Sequence, residues 1–232
     1  MVETTTIVMY PSPGIVLLTT GLLDHPSINS YINRVSSSHP SITFHRFASV
    51  TVTHSNTQSL ATTGFQFIKQ NVVNVESELR QITQTSVIKV FIIDMFCTSA
   101  MEIASTMGIP VYYFFTCGAA ALALYSYFPK IHSETTVSLK EMVGVEILMP
   151  GNSGLKAELM PTLVLDREDP AYWEMLYFCE QLSMAKGIVV NTFRELEVAA
   201  VKAVEDGVCF PDIKRSPPPS TSIEPKSWMC NK

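Results

Sequence analysis

The chain has 232 residues, 47% of them hydrophobic and 16% charged, enough apolar material for one large domain or two small ones. Its net charge of −5 excludes the basic face that a nucleic-acid partner requires. Five scattered cysteines (Cys97, Cys117, Cys179, Cys209 and Cys230) form no C-x-x-C, and their odd number argues for reduced thiols and a cytoplasmic location rather than a complete disulfide framework.

The N-terminus carries Glu3, lacks Lys and Arg, and is interrupted by Pro11 and Pro13, so it does not read as a signal peptide. Thr5 to Tyr10 reads as a strand ending in the turn Pro11-Ser-Pro-Gly14. Phe65, Ile68, Val72, Val75, Leu79 and Ile82 step by three and four, which predicts an amphipathic helix with one buried face. Val87 to Ile93 is apolar except for Lys89 and is closed by Asp94, as expected of a parallel strand covered on both faces. Ser99 and Glu102 form an S-x-x-E capping box for a helix that Gly108 ends.

Residues 103–129 carry no charge and are long enough to span a bilayer. Their interior instead predicts a strand at Ile109–Phe115, a turn at Thr116-Cys117-Gly118 and a helix from Ala119 to Phe128, so no stable membrane span is expected. Asp169-Pro170 offers an N-cap with proline at the first helical position, opening a helix through Trp173 and Leu176 toward Met184. The acidic residues Asp166, Glu168 and Asp169 read as a solvated loop ending in that cap, not as a metal site. Gly187 to Val190 is a further strand, and Thr192 with Glu195 repeats the capping box for a helix reaching Val204. From Ser216 to Lys232 the sequence is linker-like.

Alternating strands and helices imply an α/β fold with a mostly parallel sheet, and ligands in such sheets gather beyond the carboxyl ends of the strands. Three segments are expected there: Pro11 to Ile15, Asp94 with Met95 to Thr98, and Thr116 to Gly118. No G-x-G-x-x-G, P-loop or G-x-S-x-G motif is present.

Five segments carry a resemblance to a known family. They are Ile7-Val-Met-Tyr-Pro-Ser-Pro-Gly-Ile15, Phe91-Ile-Ile-Asp-Met-Phe-Cys97, Val111-Tyr-Tyr-Phe-Phe-Thr116, Met149-Pro-Gly151 and Gly187-Ile-Val-Val-Asn-Thr-Phe-Arg-Glu-Leu-Glu197. In this order, spread over residues 5–215, they resemble the plant UDP-dependent glycosyltransferases, especially the branch acting on flavonoids and related phenols. The resemblance implies an incomplete Rossmann-like parallel sheet with flanking helices, one half of a two-domain glycosyltransferase B-type fold. Residues 1–215 would be the acceptor-binding domain, incomplete near 15–40, and 216–232 a linker-like tail.

In the family, a histidine in a Pro-Gly-x-Gly-His setting takes the acceptor's proton, and an aspartate orients it. The resulting oxyanion attacks the UDP-sugar with inversion, with no metal and no cofactor beyond that co-substrate. By this resemblance Asp94 is the orienting carboxylate, Thr116 contacts the donor sugar, and Phe96, Tyr113, Phe115, Trp173 and Tyr177 line the pocket for a small aromatic acceptor. The alternative reading of Asp94 is a helix-capping or loop carboxylate.

Two departures qualify the resemblance. After Ile15 the chain reads Val16-Leu-Leu-Thr-Thr-Gly-Leu-Leu-Asp24 where the family has Gly-His, a helix and a second strand, and the donor signature of the family's second half is absent. His25, His39, His45, His54 and His132 are scattered. The expectation is therefore a truncated glycosyltransferase, inactive alone. The alternative is a non-catalytic module that binds an aromatic ligand or pairs with an intact relative.

Overall fold

The computed structural model describes residues 5–8, 14–22, 26–52, 58–211 and 220–222. The chain divides into two compact units, residues 1–112 and 113–232.

In the first unit, β1 (Thr5–Val8), β2 (Gly14–Leu18), β3 (Ile42–Arg46) and β4 (Phe91–Ile93) lie in the order β3-β2-β1-β4. β2 and β3 are parallel, Gly14 facing Ile42 and Leu18 facing Arg46. β1 runs against both its neighbours, pairing Val8 with Ile15 and Ile7 with Ile92. The reason is the length of the link. Only residues 9–13 separate β1 from β2, whereas a parallel crossover needs a dozen residues or more.

Two expectations change here. The stretch after Ile15 does contain a strand, β2, joined to β1 by a link too short for a parallel crossover. Because β1 opposes β4, it also delivers the chain to the end of the sheet where β4 begins, opposite the edge occupied by Asp94. Gly14 and Ile15, which open β2, do not share an edge with Asp94. Pro11 to Pro13 themselves lie outside the described residues.

α1 (Ile28–Ser38) buries no side chain and leads into β3. α2 (Leu60–Thr83) opens on Ser59, whose hydroxyl accepts from the Thr62 amide at 3.1 Å. Its predicted face is buried at Phe65, Ile68, Val75 and Leu79, with Phe67 added. β4 is followed by a 3-10 turn, Met95–Ala100, and by α3 (Met101–Thr106), which Gly108 ends in the left-handed region at φ +70°.

The Ser99–Glu102 box does not form. Asp94 caps this segment five residues earlier, and the Ser99 hydroxyl is buried without a hydrogen bond.

β5 (Val111–Phe115), whose last three residues open the second unit, lies beside β8 (Gly187–Val190), and β8 beside β9 (Ser220–Ser222). β9 pairs in parallel with β8, Ile188 facing Ser220. The tail read as linker-like thus supplies an edge strand. α4 (Ala119–Glu134) follows β5, and β6 (Glu146–Ile147) and β7 (Leu155–Lys156) form a short hairpin. α5 (Pro170–Gln181) begins as expected, the Asp169 carboxylate accepting from the Ala171 amide at 2.9 Å. α6 (Val198–Glu205) ends the described helices.

The core of this unit is aromatic. The Phe178 ring meets Tyr113 and Tyr125 edge-on, with centroids 5.4 and 6.1 Å away, and lies parallel to Phe115 at 6.3 Å. Phe178→Ala should therefore lower stability by about 3–5 kcal/mol, read from denaturant unfolding. A loss below about 1 kcal/mol would contradict this packing.

Arg167 ties the far end of α4 to the loop before α5. Its guanidinium donates to the carbonyls of His132 and Thr135 at 2.8 and 2.7 Å, carbonyls that the end of a helix leaves unpaired. Asp166 pairs with Lys140 at 2.6 Å and accepts from the Glu168 amide. The acidic cluster is accordingly a loop and a cap.

Candidate functional site

Asp94 stands one residue beyond β4 and is 5% exposed. One carboxylate oxygen accepts from the amides of Phe96 and Cys97, at 2.9 and 3.0 Å. Burial pushes its pKa up from 3.8 to about 6, although the hydrogen bonds from Cys97 and Phe96 pull the other way. Both readings of this residue meet in one geometry. Asp94 is a helix cap, and it is also a buried carboxylate at the carboxyl end of β4.

Among the described histidines, His45 pairs with Glu78 at 2.5 Å, His39 with the Ser38 hydroxyl at 2.9 Å, and His132 with the Tyr172 hydroxyl at 2.7 Å. Burial and the neighbouring Arg167 hold His132 below the ordinary imidazole range. His25 and His54 lie outside the described residues.

The turn between β5 and α4 carries Thr116 and Cys117, both exposed, and Gly118 as N-cap. Glycine has no side chain to cap a helix, and the missing acceptor comes from Glu197. Its carboxylate accepts from the amides of Ala119 and Ala120, at 2.9 and 3.0 Å, and from the Thr192 hydroxyl. Burial raises the pKa of Glu197, but these three bonds outweigh it and hold the carboxyl below its ordinary range.

A Cβ on Gly118 would lie 2.6 Å from both Glu197 oxygens, so a larger residue here would displace that carboxylate. Asn191 adds two bonds, its amide to the Phe115 carbonyl at 3.0 Å and its side chain to the Thr116 carbonyl at 3.1 Å. The predicted Thr192–Glu195 box is thus replaced by a Thr192–Glu197 pair that caps a different helix. Sequence reasoning missed Glu197. The available signal was a helix starting after glycine with no capping side chain of its own.

The aromatic residues assigned to the acceptor pocket separate into two groups. Tyr113 and Phe115 are 0% and 1% exposed, packed in the second unit's core. As placed they offer no surface to a ligand, because alternation along β5 turns both toward Phe178. Phe96, in the first unit, is half-buried against Phe65, with ring centroids 5.3 Å apart. Trp173 and Tyr177, in the second, keep open surface. Trp173 is 50% exposed, donates to the Arg167 carbonyl at 2.9 Å and meets His132 edge-on. Among the described residues no helix is long and apolar enough to cross a membrane.

Fold and sequence comparisons converge on one class. The chain is 48% identical over 200 residues to UDP-glycosyltransferase 88F4 of Malus domestica, an alignment covering 85% of this chain and 42% of that protein. It is 46% identical over 202 residues to the phloretin 2'-O-glucosyltransferase of Pyrus communis, with the same coverage. Among solved structures, UGT2 of Phytolacca americana superposes with a TM-score of 0.78 at 24% identity, covering 90% of this chain and 44% of that one. No protein-family model matches. By these findings the chain is similar in sequence to plant UDP-glycosyltransferases over 85% of its length, and it shares its fold with part of a solved structure of that kind. It spans less than half the length of the relatives it matches.

Proposed function

We propose that the chain is the acceptor-binding part of a UDP-glycosyltransferase whose reaction is inverting transfer of a hexose from a UDP-sugar to a phenolic hydroxyl. The sequence likeness to enzymes named for phloretin 2'-O-glucosylation supports the phenolic acceptor. In this reading Asp94 holds the base in the correct tautomer and stabilises its charged form, while Thr116 meets the donor sugar. The reaction uses no metal and proceeds in the cytoplasm.

The observation that carries the second half of the proposal is the reversed β1. β1 ends at the sheet edge opposite Asp94, and the sequence after it that matches the family's Pro-Gly-x-Gly-His contains no histidine. Among the described residues no histidine meets Asp94, and the chain is expected to transfer no sugar. Incubation with UDP-glucose and a flavonoid, followed by chromatography, tests this. Product formation that disappears in Asp94→Ala would overturn it.

A non-catalytic binding role is favoured by one observation, the exposed Trp173 one turn of α5 from the half-buried Tyr177. A planar phenol stacked there should bind weakly, on the order of 10⁻⁴ M. Quenching of Trp173 fluorescence, with Trp228→Phe removing the only other tryptophan, should saturate and be lost in Tyr177→Ala. A folded chain without saturable quenching removes this role, including pairing with an intact relative around a shared acceptor.

A further inference from the structure

The β5–α4 turn is held from far away in sequence by a segment that the proposed reaction does not use. Asn191 fixes the Phe115 and Thr116 carbonyls, and Glu197 takes the first two amides of α4 from 78 and 77 residues away. The start of a 16-residue helix carries unpaired N–H groups and the positive end of the helix dipole, a setting in which a free anion such as phosphate readily binds. Here the chain's own carboxylate fills that position. Gly118 leaves it room, and the Thr192 hydroxyl steadies it.

We propose that Glu197, together with Asn191, is the positioning element of the Thr116 turn, and that by filling the anion position it reserves the turn for the uncharged hydroxyls of a hexose. This rests on the reading of Thr116 as the sugar-facing residue. The arrangement makes Glu197 specificity-determining without contact to the substrate. A phosphate is refused because its place is taken, and a hydroxyl is accepted because Thr116 is held still.

Amide hydrogen exchange on the 232-residue chain tests the proposal. In Glu197→Ala the amides of Ala119 and Ala120 should exchange about 5- to 30-fold faster, while those of α2 are unchanged. Gly118→Ala should produce the same acceleration by displacing the carboxylate, and the double variant should add nothing further. Inorganic phosphate should restore protection in Glu197→Ala, where chloride at equal ionic strength does not, and should leave the parent chain unchanged.

Unaltered exchange in Glu197→Ala would overturn the clamp. Phosphate protection of the parent chain, or none in Glu197→Ala, would overturn the reservation of the turn. Should Glu197→Ala fail to fold, Glu197→Ser vacates the same position with a small polar side chain; it must then show the phosphate response, and its absence counts against the proposal. None of these arms requires sugar transfer. An unchanged KM for UDP-glucose in Thr116→Ala of a transfer-competent version would remove the sugar-facing reading and leave the clamp standing.

Discussion

Asp94→Asn should raise the melting temperature at pH 7 by several degrees, with the gain shrinking toward zero below pH 4. The carboxyl titrates at about 6 in the fold against 3.8 as its ordinary value. Between these values the folded chain binds more protons than the unfolded one, so stability falls as pH rises through this window. Above pH 6 the full penalty is present, about 3 kcal/mol. Asparagine keeps an oxygen for the Phe96 and Cys97 amides but carries no charge to desolvate. Asp94→Ala should go the other way, because both amides lose their acceptor. Calorimetric scans at pH 7 and pH 4 decide the matter. A lower melting temperature for Asp94→Asn at pH 7 would show that the charge stabilises the fold.

The same residue should matter in the opposite sense for activity. Inserting the family's Gly-His segment and crossover helix after Ile15, in a chain joined after Arg215 to a relative's donor half, should convert no detectable transfer into measurable transfer. The physical reason is chain length. With a dozen or more residues between them, β1 and β2 can lie parallel, and a histidine after β1 then reaches the edge where Asp94 stands. General-base catalysis contributes ~10²–10⁴-fold, so the uninserted fusion should be slower by at least that factor. In the repaired protein Asp94→Asn should be more stable yet nearly inactive. Equal rates with and without the insertion would show that the reversed strand is not the defect. An unchanged rate in Asp94→Asn would remove the orienting role.

Where a feature depended on neighbours in sequence, it was legible. The stepping apolar residues of α2, the Asp169-Pro170 start of α5, the buried strand at Gly187–Val190 and the carboxylate closing β4 all lie where local pattern puts them. The failures share a different cause. Ser99 and Thr192 each had an acidic residue at capping-box spacing, but Asp94 and Glu197 offered better geometry from outside those windows. The direction of β1 depends on the length of its link, and the apolar pattern of a strand does not encode direction. Tyr113 and Phe115 looked available because the motif matches a cleft in the family. Their alternation along β5, together with Phe178 from α5, puts them inside.

The reach of Glu197 also sets a timetable for biosynthesis. At the usual ~5–20 residues per second, a ribosome adds residue 197 roughly 4–16 s after residue 119. Through that interval the leading end of α4 has no acceptor for its first amides, and Gly118 provides none. The nascent chain thus carries an unlocked helix start until the Asn191–Glu197 stretch clears the exit tunnel, which makes the Thr116 turn among the last parts of the second unit to be set.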